Sequence, residues 1–269
     1  MSRIATCFSG LAETGRCALI PFVTAGDPEP SVTVDLMHAM VAAGADIVEL
    51  GVPFSDPMAD GPVIQRASER ALAHNVALHD VLDMVKRFRQ SDDHTPVVLM
   101  GYLNPVEAMG YESFASNAAN AGVDGVLTVD LPPGEGAELV SALKSRQIDT
   151  IFLVAPTSNA ERIARINAMA SGFIYYVSLK GVTGASNLDI DGVSAKLKEI
   201  RTISKLPLGV GFGVKEPADA AKLASLADAV IVGSTLVKIV EANAAEPAKI
   251  PNMIGETLAA FRKAMDAVS

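Results

Sequence analysis

The chain has 269 residues, of which 49% are hydrophobic and 20% are charged, and its formal net charge is −9. This hydrophobic content supplies a large core and excludes a globally disordered chain. The acidic balance, without a run of lysine and arginine, argues against a nucleic-acid-binding protein. The longest basic cluster consists of Lys86, Arg87 and Arg89, which we interpret as the solvated end of a helix.

The composition also indicates a compartment. The first residues lack the apolar segment of a signal peptide, and no apolar run approaches the ~20 residues of a membrane span. Two cysteines in a chain of this length, Cys7 and Cys17, favour reduced thiols over a disulfide. We therefore predict a cytoplasmic protein that does not bind membranes.

Eight short apolar runs predict strands. Their apolar residues are continuous rather than alternating, as in parallel strands that are buried on both faces. They cover residues 18–23, 46–50, 96–100, 125–130, 150–155, 173–178, 206–211 and 229–234.

Segments rich in Ala, Leu, Lys and Glu lie between the strands and predict helices, several of which end at a glycine. They cover residues 31–44, 63–74, 111–122, 134–146, 159–171, 192–204 and 216–227. Further helices are predicted over 2–16, 235–242 and 252–267.

Eight strand–helix repeats in this length favour a closed (β/α)8 TIM barrel over an open doubly wound sheet. The first strand is followed by TAGDPEP rather than by the GxGxxG turn of an open dinucleotide-binding sheet. No linker divides the chain, so we predict a single (β/α)8 barrel domain over 1–269. The helix over 2–16 is expected at the barrel bottom, with the extra helices outside.

In such a barrel the active site is built at the C-terminal ends of the strands. Gly211 and Gly213 follow strand seven, and Gly233 and Ser234 follow strand eight, where Ser234 can cap a short helix. This is the usual phosphate position of the fold, so these residues predict a phosphate site. The loop over 180–189, rich in Gly, Ser, Thr and Asn, is either a lid over substrate or an ordinary surface loop.

Glu49 is unusual because it lies in a strand that the pattern predicts to be buried. It is either a structural carboxylate paired with a base from elsewhere, or a carboxyl whose pKa is raised for acid–base work. Asp56 and Asp60 follow on a turn-rich loop. Either could be a solvated turn residue or reach the barrel mouth, and their spacing alone does not choose between them.

Phe22 and Phe212 stand at the ends of predicted strands one and seven and belong either to the core or to the walls of an apolar pocket. Tyr175, inside strand six, is by default a core tyrosine, and its hydroxyl needs a partner if it is buried. The four histidines and two cysteines show no metal-ligand spacing, so no metal is predicted. The residues thus indicate a barrel that binds a phosphorylated small molecule and acts on it with carboxyl groups, without a metal or cofactor.

The motif ELGVPFSDPMADGP, with PFVTAGDP upstream, resembles the signature of the tryptophan synthase α subunit family. Further similar motifs are LMGYLNP, VDLPPGE, SLKGVTGA, GVGFGV and VGST, which together extend from residue 21 to about 241. The resemblance implies retro-aldol cleavage of indole-3-glycerol phosphate to indole and glyceraldehyde 3-phosphate.

The resemblance also implies a role for each matching residue. Glu49 would be the general acid–base, and Asp60 would accept the indole N–H and stabilise positive charge on the ring. The predicted substrate-binding residues are Phe22, Leu127 and Phe212 on the indole site, Tyr175 in the pocket, Thr183 in the lid, and Gly184, Gly213, Gly233 and Ser234 around the phosphate.

A partner is implied as well. The family works as a tetramer of two α and two β chains, and the β subunit carries pyridoxal phosphate, so no cofactor is expected in this chain. The loops over 53–60 and 101–108 would face the β subunit, and ligand-ordered closure of 53–60 and 179–189 would carry the allosteric signal. The predicted interface residues are Pro53, Phe54, Asp56, Pro57 and Asn104.

Three other functions are compatible with parts of this pattern. An isomerase or synthase on a phosphate-binding barrel would need a catalytic lysine or cysteine at a strand end, and none of the predicted strands ends in one. A catalytically inactive activator of a β subunit would not need Glu49 and Asp60. A lyase that releases indole without a partner differs from the family's α subunit in not being activated by a β subunit.

Overall fold

The computed structural model describes residues 2–177, 189–211 and 213–268. Eight parallel strands form a closed barrel in sequence order, and the last strand pairs with the first. The predicted (β/α)8 TIM barrel is therefore confirmed. The strands are β1 (Ala18–Thr24), β2 (Val48–Gly51), β3 (Val97–Gly101), β4 (Gly125–Thr128), β5 (Asp149–Val154), β6 (Ile174–Val177), β7 (Leu208–Gly211) and β8 (Ala229–Val232).

The described residues form twelve α-helices around this barrel. They are α1 (Arg3–Glu13), α2 (Thr33–Ala42), α3 (Pro62–Leu72), α4 (Leu78–Phe88), α5 (Leu103–Met109), α6 (Tyr111–Ala121), α7 (Ala137–Ser145), α8 (Ala160–Met169), α9 (Ile190–Ile203), α10 (Pro217–Ala224), α11 (Ser234–Ala242) and α12 (Ile250–Asp266). Short 3-10 turns at Pro30–Val32 and Pro247–Lys249 precede α2 and α12. No helix in the described ranges is long and apolar enough to cross a membrane.

Two of these helices go beyond the predicted bounds. A helix ending at the basic cluster was expected at α4 without stated limits, and the segment of α5 was expected to be a loop. The α5 helix contains Pro105, which reads as a helix breaker. Because Pro105 lies in the first turn, where the backbone N–H has no partner within the helix, the proline is tolerated there.

Side chains along the strands alternate between two cores. Val48 and Leu50 of β2 pack in the large core between the barrel and its helices. Ile47, just before β2, packs in the smaller core inside the barrel. Glu49 has the same parity as Ile47, so the strand geometry turns its side chain into the barrel.

The first helix fills the barrel from below, as predicted. Ile4, Phe8 and Leu11 on one face of α1 are buried in the interior core, where the Phe8 and Phe173 rings lie 5.8 Å apart. Ser2 caps this helix by accepting a hydrogen bond from the Ala5 N–H at 3.2 Å. The open space of the barrel therefore lies at the opposite end, where the strands finish.

Arg89 corrects one expectation. Its side chain is only 10% exposed and donates to an Asp124 carboxylate oxygen at 2.6 Å and to the Gly122 carbonyl at 2.9 Å. Lys86 and Arg87 are exposed at the end of α4. The cluster was wrongly interpreted as wholly solvated, because the residue that follows α4 turns inward to an aspartate before β4.

Candidate active site

A pocket of about 540 Å³, including its open mouth, lies at the C-terminal ends of the strands. It brings together seven of the predicted catalytic and substrate-binding residues. These are Phe22, Glu49, Asp60, Tyr175, Gly213, Gly233 and Ser234. The pocket is also lined by Gly61, Ile64, Met100, Val214 and Ile231.

Glu49 lies at the inner end of this pocket. The residue is 1% exposed, and neither of its carboxyl oxygens has a hydrogen-bond partner. Removal from water disfavours the charged form, so burial raises the pKa of Glu49 to about 8, and the nearby Asp60 charge adds to the rise. Glu49 is thus a neutral acid near neutral pH, and the salt-bridged alternative does not hold.

Tyr175 belongs to the same buried environment. It is 4% exposed and lines the pocket from β6. Burial raises the pKa of its phenol well above the ordinary value, and the neighbouring Glu49 charge contributes. A side chain at Gly211 would have its Cβ 2.2 Å from the Tyr175 hydroxyl, so the end of β7 needs a glycine for this tyrosine to fit.

The two aspartates on the loop after β2 lie in different surroundings. Asp60 lines the pocket, where burial raises its pKa and a hydrogen bond from Tyr102 partly offsets the rise. Asp56 is exposed, and it accepts a hydrogen bond from its neighbour Ser55 at 2.6 Å. The structure therefore makes the choice that spacing left open, and Asp60 is the loop carboxylate that reaches the barrel mouth.

Tyr102 is a site residue that the sequence analysis missed. Its hydroxyl donates to Asp60 Oδ2 at 3.0 Å and accepts the Ala59 N–H at 3.0 Å. Its ring stacks on Phe54, with centroids 5.0 Å apart and planes 27° from parallel. One tyrosine just past β3 thus fixes both the aspartate and the loop that carries it.

The other end of the pocket is formed by the ends of β7 and β8. Gly213 has a φ of +81°, which glycine adopts without strain. Ser234 is the first residue of α11, and Gly233 precedes it as the N-cap. The prediction that the Ser234 side chain caps this helix is therefore wrong, because Ser234 is already the first helical residue and Gly233 takes the N-cap position. The free N–H groups of this helix N-terminus still face a pocket that suits an anion.

Other predicted residues lie elsewhere. Leu127 is fully buried in the barrel interior and does not line the pocket in the described part of the chain. Thr183, Gly184 and Phe212 fall outside the described residues, as does nearly all of the proposed lid, so their roles stay predictions.

The apolar wall was only partly foreseen. Met100 on β3 and Ile231 on β8 line the pocket because they have the inward parity of their strands. Strand parity was therefore the signal that could have found them. Ile64 comes from the first turn of α3, where no strand pattern applies.

Four of the five predicted partner residues reach the surface of the chain. Asp56 and, on α5, Asn104 are exposed, while Phe54 and Pro57 are half-buried. Met58, which follows Pro57, is 87% exposed, which is unusual for a large apolar side chain. Pro53 is buried in the chain, and its contact with a partner stays a prediction.

Fold and pocket together define a (β/α)8-barrel enzyme with two carboxyl groups in different environments, an apolar wall and a helix N-terminus suited to an anion. Among the described residues, no group of His, Cys, Asp and Glu is arranged to hold a metal ion.

Comparison with known proteins identifies the family. A family model described as tryptophan synthase alpha chain matches residues 8–266. The tryptophan synthase alpha chain of Thioalkalivibrio sulfidiphilus is 63% identical over 99% of this chain and 100% of its own length. That of Nitrosococcus oceani is 59% identical over 99% of this chain and 98% of its own. The chain belongs to the tryptophan synthase alpha chain family.

Solved structures agree with this result. The crystal structure of tryptophan synthase subunit alpha from Legionella pneumophila has a TM-score of 0.91 at 46% identity and covers 99% of both chains. A chain in the aminoacrylate-bound tryptophan synthase of M. tuberculosis has a TM-score of 0.85 at 36% identity. That match covers 97% of this chain and all of the other.

The buried Glu49 generates a prediction about stability. Below the ordinary carboxyl pKa of 4.5, Glu49 is neutral in both the folded and the unfolded protein. As the pH rises from there to about 8, the unfolded state ionises first, so the protein loses stability. Glu49→Gln cannot ionise, so we expect its stability relative to wild type to grow by about 1.4 kcal/mol per pH unit in this window.

Urea unfolding of both proteins at several values between pH 5 and pH 8 measures this difference. Asp56→Asn is the matched control, because its carboxyl is exposed, and its stability difference from wild type should stay nearly constant. A Glu49→Gln difference that is equally constant with pH would contradict the raised pKa.

Proposed function

We propose that Glu49 and Asp60 carry out, in this pocket, the cleavage of indole-3-glycerol phosphate to indole and glyceraldehyde 3-phosphate. By family the chain is a carbon–carbon lyase, and the proposal assigns the chemistry to its side chains. The observation that carries the assignment is the Glu49 carboxyl, buried without a hydrogen-bond partner at the inner end of a largely apolar pocket.

Glu49 acts first as an acid. With a pKa of about 8 it is about nine-tenths protonated at pH 7. It gives its proton to the indole ring carbon that bears the glycerol chain, and positive charge develops on the ring nitrogen. The resulting carboxylate takes the proton of the side-chain hydroxyl as the carbon–carbon bond breaks. The bond electrons return to the ring, the hydroxyl carbon becomes the aldehyde, and Glu49 regains its proton.

Asp60 stabilises the charge that forms. Its carboxylate accepts the indole N–H and faces the positive charge on the ring nitrogen, so the interaction strengthens in the transition state. The hydrogen bond from Tyr102 opposes the effect of burial on the pKa of Asp60 and favours its charged form. Two carboxyl groups thus take opposite roles because their surroundings differ.

The rest of the pocket suits the rest of the substrate. Phe22, Met100 and Ile231 offer an apolar slot for the indole ring. At the other end, the N-terminus of α11 at Ser234 favours the phosphate group. Because an aldol cleavage has no redox step and its protons pass through Glu49, we propose that this chain uses no cofactor of its own.

The test measures indole release from indole-3-glycerol phosphate by the purified chain. We expect Glu49→Gln to lower kcat by about 10²–10⁴-fold, the usual contribution of a general acid–base, with the substrate dissociation constant nearly unchanged. Asp60→Asn should lose most activity as well. Asp56→Asn is the matched control on the same loop and should retain it.

Full turnover by Glu49→Gln would sink the assignment of the acid. Full turnover by Asp60→Asn alone would reduce that aspartate to a residue of the loop.

The family implies a complex with a tryptophan synthase β subunit. We propose two α and two β chains, with pyridoxal phosphate held by the β subunit, which condenses the indole with serine. The face that would meet the partner consists of Phe54, Asp56, Pro57, Met58 and Asn104 (the partner face), and the exposed Met58 supports it. The cysteines Cys7 and Cys17 lie unpaired, which supports work in the reducing cytoplasm.

The partner face provides its own route to activation. Phe54 stacks on Tyr102, and Tyr102 donates to Asp60, so a partner that orders Phe54 also orders the aspartate. Binding of the β subunit and closure over substrate are coupled through this contact, and the coupling is reciprocal.

A partner experiment tests this face. We expect an added β subunit to raise indole release by the wild-type chain, and Asp56→Asn to weaken that activation several-fold because an exposed interface charge is lost. Asp93→Asn is the matched control, since Asp93 is also exposed but lies before β3 at the barrel bottom. Equal activation of the two variants would contradict the face, and sedimentation of the mixture would measure the stoichiometry.

A further inference from the structure

Four charged side chains behind the pocket join two helices that line it, α3 and α11, to the loop after β1. Arg66 and Arg70 lie on α3, Asp27 lies on the loop after β1, and Glu241 lies on α11. They have no part in the chemistry proposed above, because none of them lines the pocket. We call them the α3 ion-pair network.

The network is built from two bidentate contacts and one that bridges them. Arg70 donates to both Asp27 oxygens, at 2.7 and 2.9 Å. Arg66 donates to both Glu241 oxygens, at 2.5 and 2.9 Å. The remaining Arg70 nitrogen donates to Glu241 at 3.0 Å, so the two pairs form one unit. Planar forks of this kind fix geometry as well as charge.

Stability alone does not explain this arrangement. The Arg66 side chain is 47% exposed and that of Glu241 is 30% exposed, and ion pairs in such positions add little to folding. Asp27, in contrast, is 2% exposed and receives both of its contacts from one arginine. The network therefore joins α3 to the buried Asp27 on one side and to Glu241 of α11 on the other.

The N-termini of both α3 and α11 lie at the pocket. Asp60 lies two residues before α3, and Gln65 on that helix donates to the Asp60 carbonyl at 2.9 Å. The N-terminus of α11, at Ser234, lines the anion end of the pocket. Movement of α3 against α11 would thus change the position of Asp60 relative to a bound phosphate.

The buried contact between these two helices includes small apolar side chains. Ala67 of α3 and Val237 of α11 are fully buried and form a small cluster with Phe22. Small apolar side chains give close contact but no direction, whereas bidentate ion pairs have a fixed orientation. The network therefore adds contacts of fixed orientation to this apolar packing.

We propose that Asp27, Arg66, Arg70 and Glu241 are positioning residues that fix α3 relative to α11 and so place Asp60 for catalysis when phosphate is bound. The inference rests on the proposed role of Asp60. It predicts that weakening the network lowers kcat because Asp60 is displaced. Phosphate binding and the folding of the barrel should be unchanged.

The test compares Glu241→Gln with Glu199→Gln in the full chain. Glu199 is the matched control, because it pairs with Lys196 at 2.9 Å and is similarly exposed, but lies on α9. We expect Glu241→Gln to lower kcat for indole-3-glycerol phosphate at least fivefold, and the control to stay within twofold of wild type. The dissociation constant of inorganic phosphate should stay within twofold in both variants.

A double-mutant cycle separates positioning from a structural role. In the Asp60→Asn background, Glu241→Gln should lower the residual kcat by less than twofold, because there is no aspartate left to place. Arg66→Lys keeps the charge but loses the fork, and should give an intermediate loss in the wild-type background. It also carries the test if Glu241→Gln does not fold.

Three results would overturn the inference: a kcat for Glu241→Gln within twofold of wild type, the same loss in both backgrounds, or a loss of phosphate affinity as large as the loss of kcat. Full activity of Asp60→Asn would instead overturn the proposed role of the aspartate, so the two failures are distinct.

Discussion

The active site depends on one unfavourable placement, a carboxyl group buried inside the barrel without a hydrogen-bond partner. The alternation of β2 leaves no choice, because Val48 and Leu50 fill the outer core and Glu49 must then face inward. A charged group there would be very costly, and protonation relieves most of that cost. The same burial that destabilises the carboxylate therefore supplies a neutral acid near neutral pH, against a largely apolar wall.

The second carboxyl group is controlled differently. Asp60 lies on a loop, and its position depends on what holds that loop: Tyr102 on one side and Gln65 of α3 on the other. Phe54 connects Tyr102 to the proposed partner face. The ion pairs of α3 connect that helix to α11, whose N-terminus lies at the anion end of the pocket. In the proposed mechanism, substrate and partner would both influence catalysis through this one aspartate.

The sequence predicted the barrel and the buried position of Glu49, because strand periodicity decides both, but it left open whether that carboxyl is paired with a base. It could not choose between Asp60 and Asp56, since spacing on a loop does not say which carboxylate turns inward. The family resemblance favoured Asp60, and the hydrogen bond from Tyr102 now gives a physical reason. Tyr102 itself escaped notice because it lies just past β3, where no pattern applies, and the start of α11 was misjudged by one residue.

The protonation state of Glu49 tests the account most directly. Carbon-13 NMR of the glutamate side-chain carboxyl carbons, compared between wild type and Glu49→Gln, assigns the Glu49 signal and follows it with pH. The account predicts a midpoint of about 8 in the ligand-free protein. A midpoint near 4.5, the ordinary value for glutamate, would contradict it, because Glu49 would then be a carboxylate at neutral pH with no proton to give.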